Sequence, residues 1–174
     1  MTFFRNIIIS LIIFAITLIL IYKPLTDNEI KQNFSYLSTT DRLLKEFLTL
    51  RNIGLIEDAK EKLEEAISRQ PQYALSHYFL AEIYLEQGLI DKAIKEYYEV
   101  IKIDPEAYKS RVLLGELLYI KEKRKNSIEI LKEAIEINPE NNEAYEFLYS
   151  IYLDTGEETE AEKLREKFYE KQKD

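Results

Sequence analysis

The sequence predicts an all-α protein, in which an α-solenoid of four helix-turn-helix repeats follows one N-terminal transmembrane helix. Pro71, Pro105 and Pro139 stand 34 residues apart, and the residues between them recur at the same spacing. A fixed period of this length indicates an array of one supersecondary unit. The first 22 residues are almost entirely apolar, whereas the remainder is rich in charged residues and poor in Gly and Pro.

The apolar segment, residues 1–23, is predicted to be an uncleaved transmembrane signal anchor. Residues 7–22 contain no charged side chain, and with the apolar residues before them the segment is long enough to span a bilayer. Arg5 and Lys23 lie at its two ends, where they can reach the membrane interfaces, and Pro24 ends the helix. A cleaved signal peptide is the alternative, but the apolar run ends without the small residues that a cleavage site requires.

The orientation of this anchor is predicted from its short N-terminal head. Such a head before an apolar run is typical of secretory signals, which places the N-terminus in the cytoplasm and the repeats outside it. Basic residues are almost balanced on the two sides, with Arg5 before the segment and Lys23 and Lys31 after it. A cytoplasmic location of the repeats is therefore the alternative.

Residues 24–39 are predicted to be a short polar linker. Ser38, Thr39, Thr40 and Asp41 then form a helix-start signature, because their side chains can accept hydrogen bonds from the first free amides of a helix. We expect the first helix of the array to begin there, close to the membrane.

The repeat unit is clearest over residues 74–107. Its first half has apolar residues at helical spacing, and Gly88 is expected to end that helix because glycine adopts a positive φ without steric cost. Ala81 and Ala93 are small because two antiparallel helices must approach each other closely there. Pro105 cannot continue a helix and ends the second half.

These residues resemble the tetratricopeptide repeat family. The places that identify the family are occupied in this unit by His77, Leu80, Ala81, Tyr84, Ala93, Tyr97, Val100 and Pro105. In the same register, residues 40–174 form one domain of four repeats, namely 40–73, 74–107, 108–141 and 142–174. The resemblance implies a right-handed superhelix with a concave groove lined by the first helix of each repeat.

The end repeats depart from the family pattern. Phe47 and Tyr149 occupy the eighth place, where Ala81 and Gly115 stand in the middle repeats. No separate solvating helix follows the fourth repeat, so its last helix is expected to cap the array through its Glu- and Lys-rich face. The alternative is that this face contacts a second copy, which would make the protein a structural self-association module and a homo-oligomer.

Composition and motifs argue against several classes of function. The net charge of −8 disfavours nucleic-acid binding, because phosphates repel an acidic surface. The chain has no cysteine, and its one histidine, His77, falls at a place that packs between helices. No phosphate loop, nucleophile elbow or metal-ligand spacing occurs. We therefore expect a protein that is not an enzyme and that has no cofactor and no metal.

The resemblance implies a partner-binding groove. The family's groove-facing places select the following residues: Leu44, Leu48, Tyr78, Phe79, Glu82, Lys109, Val112, Glu116, Tyr119, Glu146 and Phe147. The basic clamp that chaperone-binding members use for a C-terminal carboxylate is absent, since Leu44 and Leu48 occupy two of its places. An aromatic and acidic groove fits an apolar or basic peptide or helix. We therefore expect a membrane-anchored scaffold or assembly factor with a protein partner.

Overall fold

The computed structural model describes residues 27–140 and 142–171, with side chains from residue 39 to residue 168 of those ranges. This part of the chain forms eight helices and no strand: α1 (Asp27–Asn52), α2 (Ile56–Arg69), α3 (Ala74–Glu86), α4 (Ile90–Ile103), α5 (Tyr108–Ile120), α6 (Arg124–Ile137), α7 (Asn142–Asp154) and α8 (Glu158–Lys171). The chain divides into two units, residues 1–39 and residues 40–174, and the second contains the helical repeats. The predicted anchor, residues 1–23, lies outside the described residues. None of the eight helices has the length and apolar character needed to cross a bilayer.

The helices recur with the predicted period. α3, α5 and α7 begin at Ala74, Tyr108 and Asn142, and each second helix follows at the same interval. Their pairing confirms the prediction of an all-α solenoid of helix-turn-helix repeats.

The first helix begins earlier than the sequence signature indicates. α1 starts at Asp27, so most of the predicted linker, residues 24–39, is helical, and the expected start at residues 38–41 lies inside the helix. The physical reason is that residues 27–39 contain no Gly or Pro to stop a helix. Ser, Thr and Asp favour helix starts, but they do not interrupt a helix that has already begun.

The turn inside each repeat passes through a left-handed residue at one equivalent place. Gly54, Gly88 and Gly156 have φ angles of +82°, +71° and +72°. In the third repeat the same place is Glu122, with a φ of +58°. A side chain with a Cβ atom is strained in this conformation by roughly 1–2 kcal/mol.

Small residues set the distance between the two helices of a repeat. Gly115 on α5 faces Leu131 on α6, and a Cβ atom at Gly115 would lie 2.7 Å from Leu131 Cγ. Ser127 is also fully buried there, and its hydroxyl donates to the Gly115 carbonyl at 2.6 Å. This close approach explains why the middle repeats have glycine or alanine at the eighth place.

The core consists of three apolar clusters, each shared between neighbouring repeats. Leu63 of the first repeat packs with Leu80 and Ile83 of the second. On the other side of α3, Ala81 joins the cluster shared by the second and third repeats. The first helices of the two middle repeats, α3 and α5, therefore each contribute to two of these clusters, and the array is held together by contacts between neighbours.

Two charged side chains are buried at the fourth place of the middle repeats. His77 is 7% exposed; its Nδ1 lies 2.7 Å from Glu96 Oε2 and its Nε2 lies 3.1 Å from the Pro71 carbonyl oxygen. Arg111, 8% exposed, donates from Nε to Glu133 at 3.1 Å. The expectation that His77 is a satisfied core residue agrees with these contacts.

Candidate partner-binding surface

The first helices of the four repeats carry all the residues predicted to contact a partner. These helices are α1 from Thr40 onward, α3, α5 and α7, and we call the face that bears the predicted residues the first-helix surface. Three of the predicted residues are exposed, namely Leu48, Lys109 and Glu146.

 

The same register also assigns Glu86 to this face, and its side chain is exposed. Leu48, Lys109 and Glu146 therefore stand in solvent with Glu86, whereas the aromatic members of the set are half-buried. The half-buried members of the predicted set are Tyr78, Phe79, Glu82, Glu116, Tyr119 and Phe147.

Two predicted residues do not reach the surface, which corrects the sequence prediction for them. Leu44 and Val112 are 6% and 3% exposed and belong to the core clusters between repeats. Both occupy the fifth place, where a short aliphatic side chain packs beneath its neighbours. Tyr78 occupies the same place in the second repeat, but its longer ring remains half-exposed. Leu44 and Val112 therefore support the surface from below.

An ion-pair cluster joins the first and second repeats on this surface. Nη1 of Arg51 on α1 lies 3.2 Å from Oε2 of Glu82 on α3, and the other terminal nitrogen of Arg51 binds Glu86. One guanidinium thus contacts two carboxylates that lie one helical turn apart on α3. The cluster neutralises part of the negative charge of the second repeat.

An aromatic contact and a hydrogen bond join the third and fourth repeats. The Tyr119 hydroxyl donates to Asp154 Oδ2 at 3.1 Å, and its ring packs edge-to-face against Phe147 with centroids 5.8 Å apart. These contacts bring Tyr119 and Phe147 together as neighbours on the surface. Glu146 points elsewhere, since it lines a cleft with residues of α8.

A row of rings runs across the first two repeats. Phe47 and Phe79 have centroids 4.9 Å apart, Phe79 and Tyr78 have centroids 5.8 Å apart, and Tyr78 lies 5.9 Å from Tyr97 on α4. Phe47 and Tyr97 are fully buried, so only Tyr78 and Phe79 offer ring area to a partner. Buried partner rings hold these two side chains in place, which lowers the entropy that binding would cost.

Glu116 is a half-buried carboxylate on this surface, and its charge is not compensated by an ion pair as that of Glu82 is. Burial raises its pKa, and the nearby charge of Glu143 raises it further. No ion pair to Glu116 occurs within the described residues. A cationic group of a partner would therefore be attracted more strongly here than at Glu82, which already pairs with Arg51.

Sequence reasoning missed the role of Tyr97 beneath this surface. Its hydroxyl is fully buried and has no hydrogen-bond partner among the described residues. Burial raises its pKa, and the charges of Tyr78, Glu82 and Glu116 raise it further. The sequence feature that could have indicated this role is the tyrosine at the twenty-fourth place of the second repeat, because the first and third repeats have Leu63 and Leu131 at that place.

The first-helix surface offers ring area and carboxylates, which suits binding of an apolar or basic segment. Within the described ranges, no group of three or more His, Cys, Asp or Glu side chains could hold a metal ion.

Comparison with known proteins identifies the repeats. Two tetratricopeptide repeat family models match the chain, one over residues 44–108 and the other over residues 108–141. The matched residues together make up more than half of the chain. A search of curated protein sequences finds no match.

Solved structures share the fold. A crystal structure of MamA is 24% identical, with a TM-score of 0.68 over 84% of this chain and 86% of that chain. MamA residues 41 to the end from Desulfovibrio magneticus RS-1 are 18% identical, with a TM-score of 0.64 over 75% of this chain and 74% of that chain. YrrB, described as a TPR protein with an unusual peptide-binding site, is 19% identical, with a TM-score of 0.63 over 74% of this chain and 66% of that chain.

At these identities the likeness to solved structures establishes the fold alone, whereas the family models match the repeats directly. The helix period, the small residues between paired helices and the two model matches agree with one another. The chain belongs to the tetratricopeptide repeat family.

Proposed function

We propose that this protein is a membrane-anchored scaffold or assembly factor, which binds a peptide or helix of a protein partner on its first-helix surface. Residues 1–23 supply the anchor, residues 24–39 connect it to the repeats, and residues 40–174 bind the partner. The N-terminus lies in the cytoplasm and the repeats lie outside it. Tetratricopeptide repeats typically serve as interaction scaffolds rather than as enzymes.

The observation that carries this proposal is the pairing of fixed rings with an uncompensated carboxylate. Tyr78 and Phe79 are held by buried rings but remain half-exposed, and Tyr119 and Phe147 form a second half-exposed ring pair. Glu116, on the helix between α3 and α7, lacks an ion pair within the described residues. Rings provide contact area at low entropic cost, and the carboxylate orients a basic group. The peptide-binding site named for YrrB, a relative by fold, is consistent with this role.

The partner segment is apolar or basic, and the protein does not bind nucleic acid. A net charge of −8 attracts basic segments and repels phosphates.

Charge reversal on the first-helix surface tests the proposal. Full-length protein carrying Glu82→Lys and Glu116→Lys should capture about tenfold less partner from a membrane extract, because the new charges repel a basic segment. Glu61→Lys with Glu129→Lys is the matched control, since it makes the same charge change on exposed positions of second helices. Because Glu82→Lys also breaks the ion pair with Arg51, the single variant Glu116→Lys tests partner binding with that ion pair intact. Equal capture by all these variants would rule out the first-helix surface as the binding site.

The membrane orientation requires its own experiment. A reporter enzyme that is active on only one side of the membrane is fused after Asp174. Activity outside the cytoplasm is expected, and activity in the cytoplasm would assign the repeats to the opposite side.

A further inference from the structure

The two ends of the repeat array differ in chemistry. The upstream face of the first repeat contains a cleft of about 390 Å³, which is lined by Arg42, Lys45, Glu46, Thr49, Leu50 and Lys62. Glu46 lies 3.6 Å from both Arg42 and Lys62, and these three residues with Lys45 make the face charged, with basic side chains in excess. A charged face of this kind resembles the polar outer face that ends a repeat array.

The downstream face of the fourth repeat carries aromatic side chains where the upstream face carries basic ones. It contains a cleft of about 320 Å³ between α7 and α8, lined by Tyr145, Glu146, Tyr149, Leu164, Arg165 and Phe168. We call this the downstream cleft. Rings of Tyr145 and Phe168 lie 4.7 Å apart along it. Tyr149 stands where the middle repeats have Ala81 and Gly115, so its ring adds to the cleft wall where those repeats have only a small residue.

Inside the array, the equivalent face of each repeat is covered by the first helix of the next repeat. That helix has a small residue at its third place and apolar residues at its sixth, seventh and tenth places. The residues at these places are Ser76, Phe79, Leu80 and Ile83; Ser110, Leu113, Leu114 and Leu117; and Ala144, Phe147, Leu148 and Ile151. In the first repeat the same places hold Arg42, Lys45, Glu46 and Thr49, which could not cover an apolar face.

A buried polar atom also points to an occupant of the downstream cleft. Tyr145 lines the cleft and is 3% exposed, yet its hydroxyl has no hydrogen-bond partner among the described residues. An unpaired buried hydroxyl costs free energy, which a polar group of an occupant would recover.

We propose that the downstream cleft binds an amphipathic helix of a partner protein, which packs as the first helix of a fifth repeat would. The helix carries a small residue followed by large apolar residues three, four and seven positions later. This inference goes beyond the proposed function, because it assigns a second binding site on a different face. Head-to-tail stacking of copies is disfavoured, since the charged upstream face lacks the apolar residues that the cleft requires.

A peptide with the sequence of residues 74–86 is the probe, because it carries this pattern in Ser76, Phe79, Leu80 and Ile83. Its binding to the full-length protein is measured by fluorescence anisotropy. A control peptide has Leu80→Glu and Ile83→Glu. We expect the probe to bind and the control peptide to bind at least about tenfold more weakly, because its apolar face is lost.

Protein variants locate the site. Leu164→Lys should weaken binding of the probe by about tenfold, whereas Ile120→Lys, at an exposed position away from the cleft, should leave it within about twofold. Tyr149→Gln is a second cleft variant in case Leu164→Lys does not fold, and thermal melting checks each variant. Glu116→Lys should retain binding, because it alters only the first-helix surface.

Several results would overturn the inference. These are no binding at about millimolar probe, equal binding by both cleft variants, or loss of binding in Glu116→Lys. Sedimentation equilibrium provides a further result: dimerisation that Leu164→Lys abolishes would assign the cleft to a second copy. The cleft variants are also tested for capture of the partner from a membrane extract. That assay tests the first-helix surface, so the two proposals can fail independently.

Discussion

A buried histidine connects the first two repeats. Both ring nitrogens of His77 face acceptors, the Glu96 carboxylate and the Pro71 carbonyl, and the protonated ring can donate to both. The hydrogen bond to Glu96 raises the pKa of His77; burial opposes this shift, and the Pro71 carbonyl and the charges of Glu96 and Glu99 add to it. The protonated ring thus ties the end of the first repeat to the second helix of the next.

This contact predicts a pH dependence of stability. Because the pKa of His77 is raised in the folded state, its contribution is complete below the unfolded pKa of about 6.5 and is lost as pH rises through the folded pKa. The free energy of unfolding, measured by urea denaturation, should therefore fall as pH rises through this window. His77 is the only histidine in the chain, so His77→Gln should remove most of that slope.

The magnitude can be checked at a pH at which His77 is protonated. His77→Gln should lower the free energy of unfolding by about 1–3 kcal/mol, because it leaves Glu96 without its buried partner. Retention of the wild-type slope by His77→Gln would show that another group titrates.

At the scale of elements, the turn inside the third repeat is the strained one. Glu122 adopts a φ of +58° at the place where the other three repeats have glycine. Nothing about the period of the helices requires a glutamate there, and the side chain is exposed.

Glu122→Gly should therefore stabilise the protein. Relief of left-handed strain exceeds the extra entropy of an unfolded glycine, for a net gain of about 0.5–1 kcal/mol. Gly88→Ala is the reciprocal change and should destabilise by a similar amount, since its φ is +71°. Urea denaturation of both variants provides the measurement, and a loss of stability in Glu122→Gly would contradict the assignment of strain.

Helix bounds from α3 to α7 could be predicted because Pro and Gly recur with a fixed period. The start of α1 could not, because residues 27–39 contain no breaker and the capping signature after them is compatible with a helix interior. The residues of the first-helix surface were assigned from their places in the repeat, but a place in the repeat does not indicate how long the side chain is. The fifth place was therefore assigned to the surface in every repeat, although only the longer side chains there, Tyr78 and Glu146, extend beyond their neighbours.

At the scale of the whole molecule, each repeat stabilises its neighbours through a shared apolar cluster. Stability should therefore grow with the number of repeats. Nothing in the period limits the array to four units.

Insertion of a second copy of residues 74–107 after residue 107 tests this additivity. The inserted unit keeps the register and places Leu80 and Ile83 against another copy of Ala81 and Tyr97. We expect a melting temperature higher by about 5 °C or more, measured in the full chain. Insertion of residues 75–107, which is one residue shorter, shifts the register of the following repeats and should lower the melting temperature. An unchanged melting temperature with the in-register copy would contradict nearest-neighbour stabilisation.

The charged upstream face has a consequence for synthesis on the ribosome. The first repeat emerges first, and its outer face, with Arg42, Lys45 and Glu46, is already compatible with water. Each later repeat can dock on the folded part as it emerges, so the nascent chain exposes apolar surface only at its newest end. The order of the repeats along the chain thereby limits the apolar surface through which an incomplete chain could aggregate with other molecules.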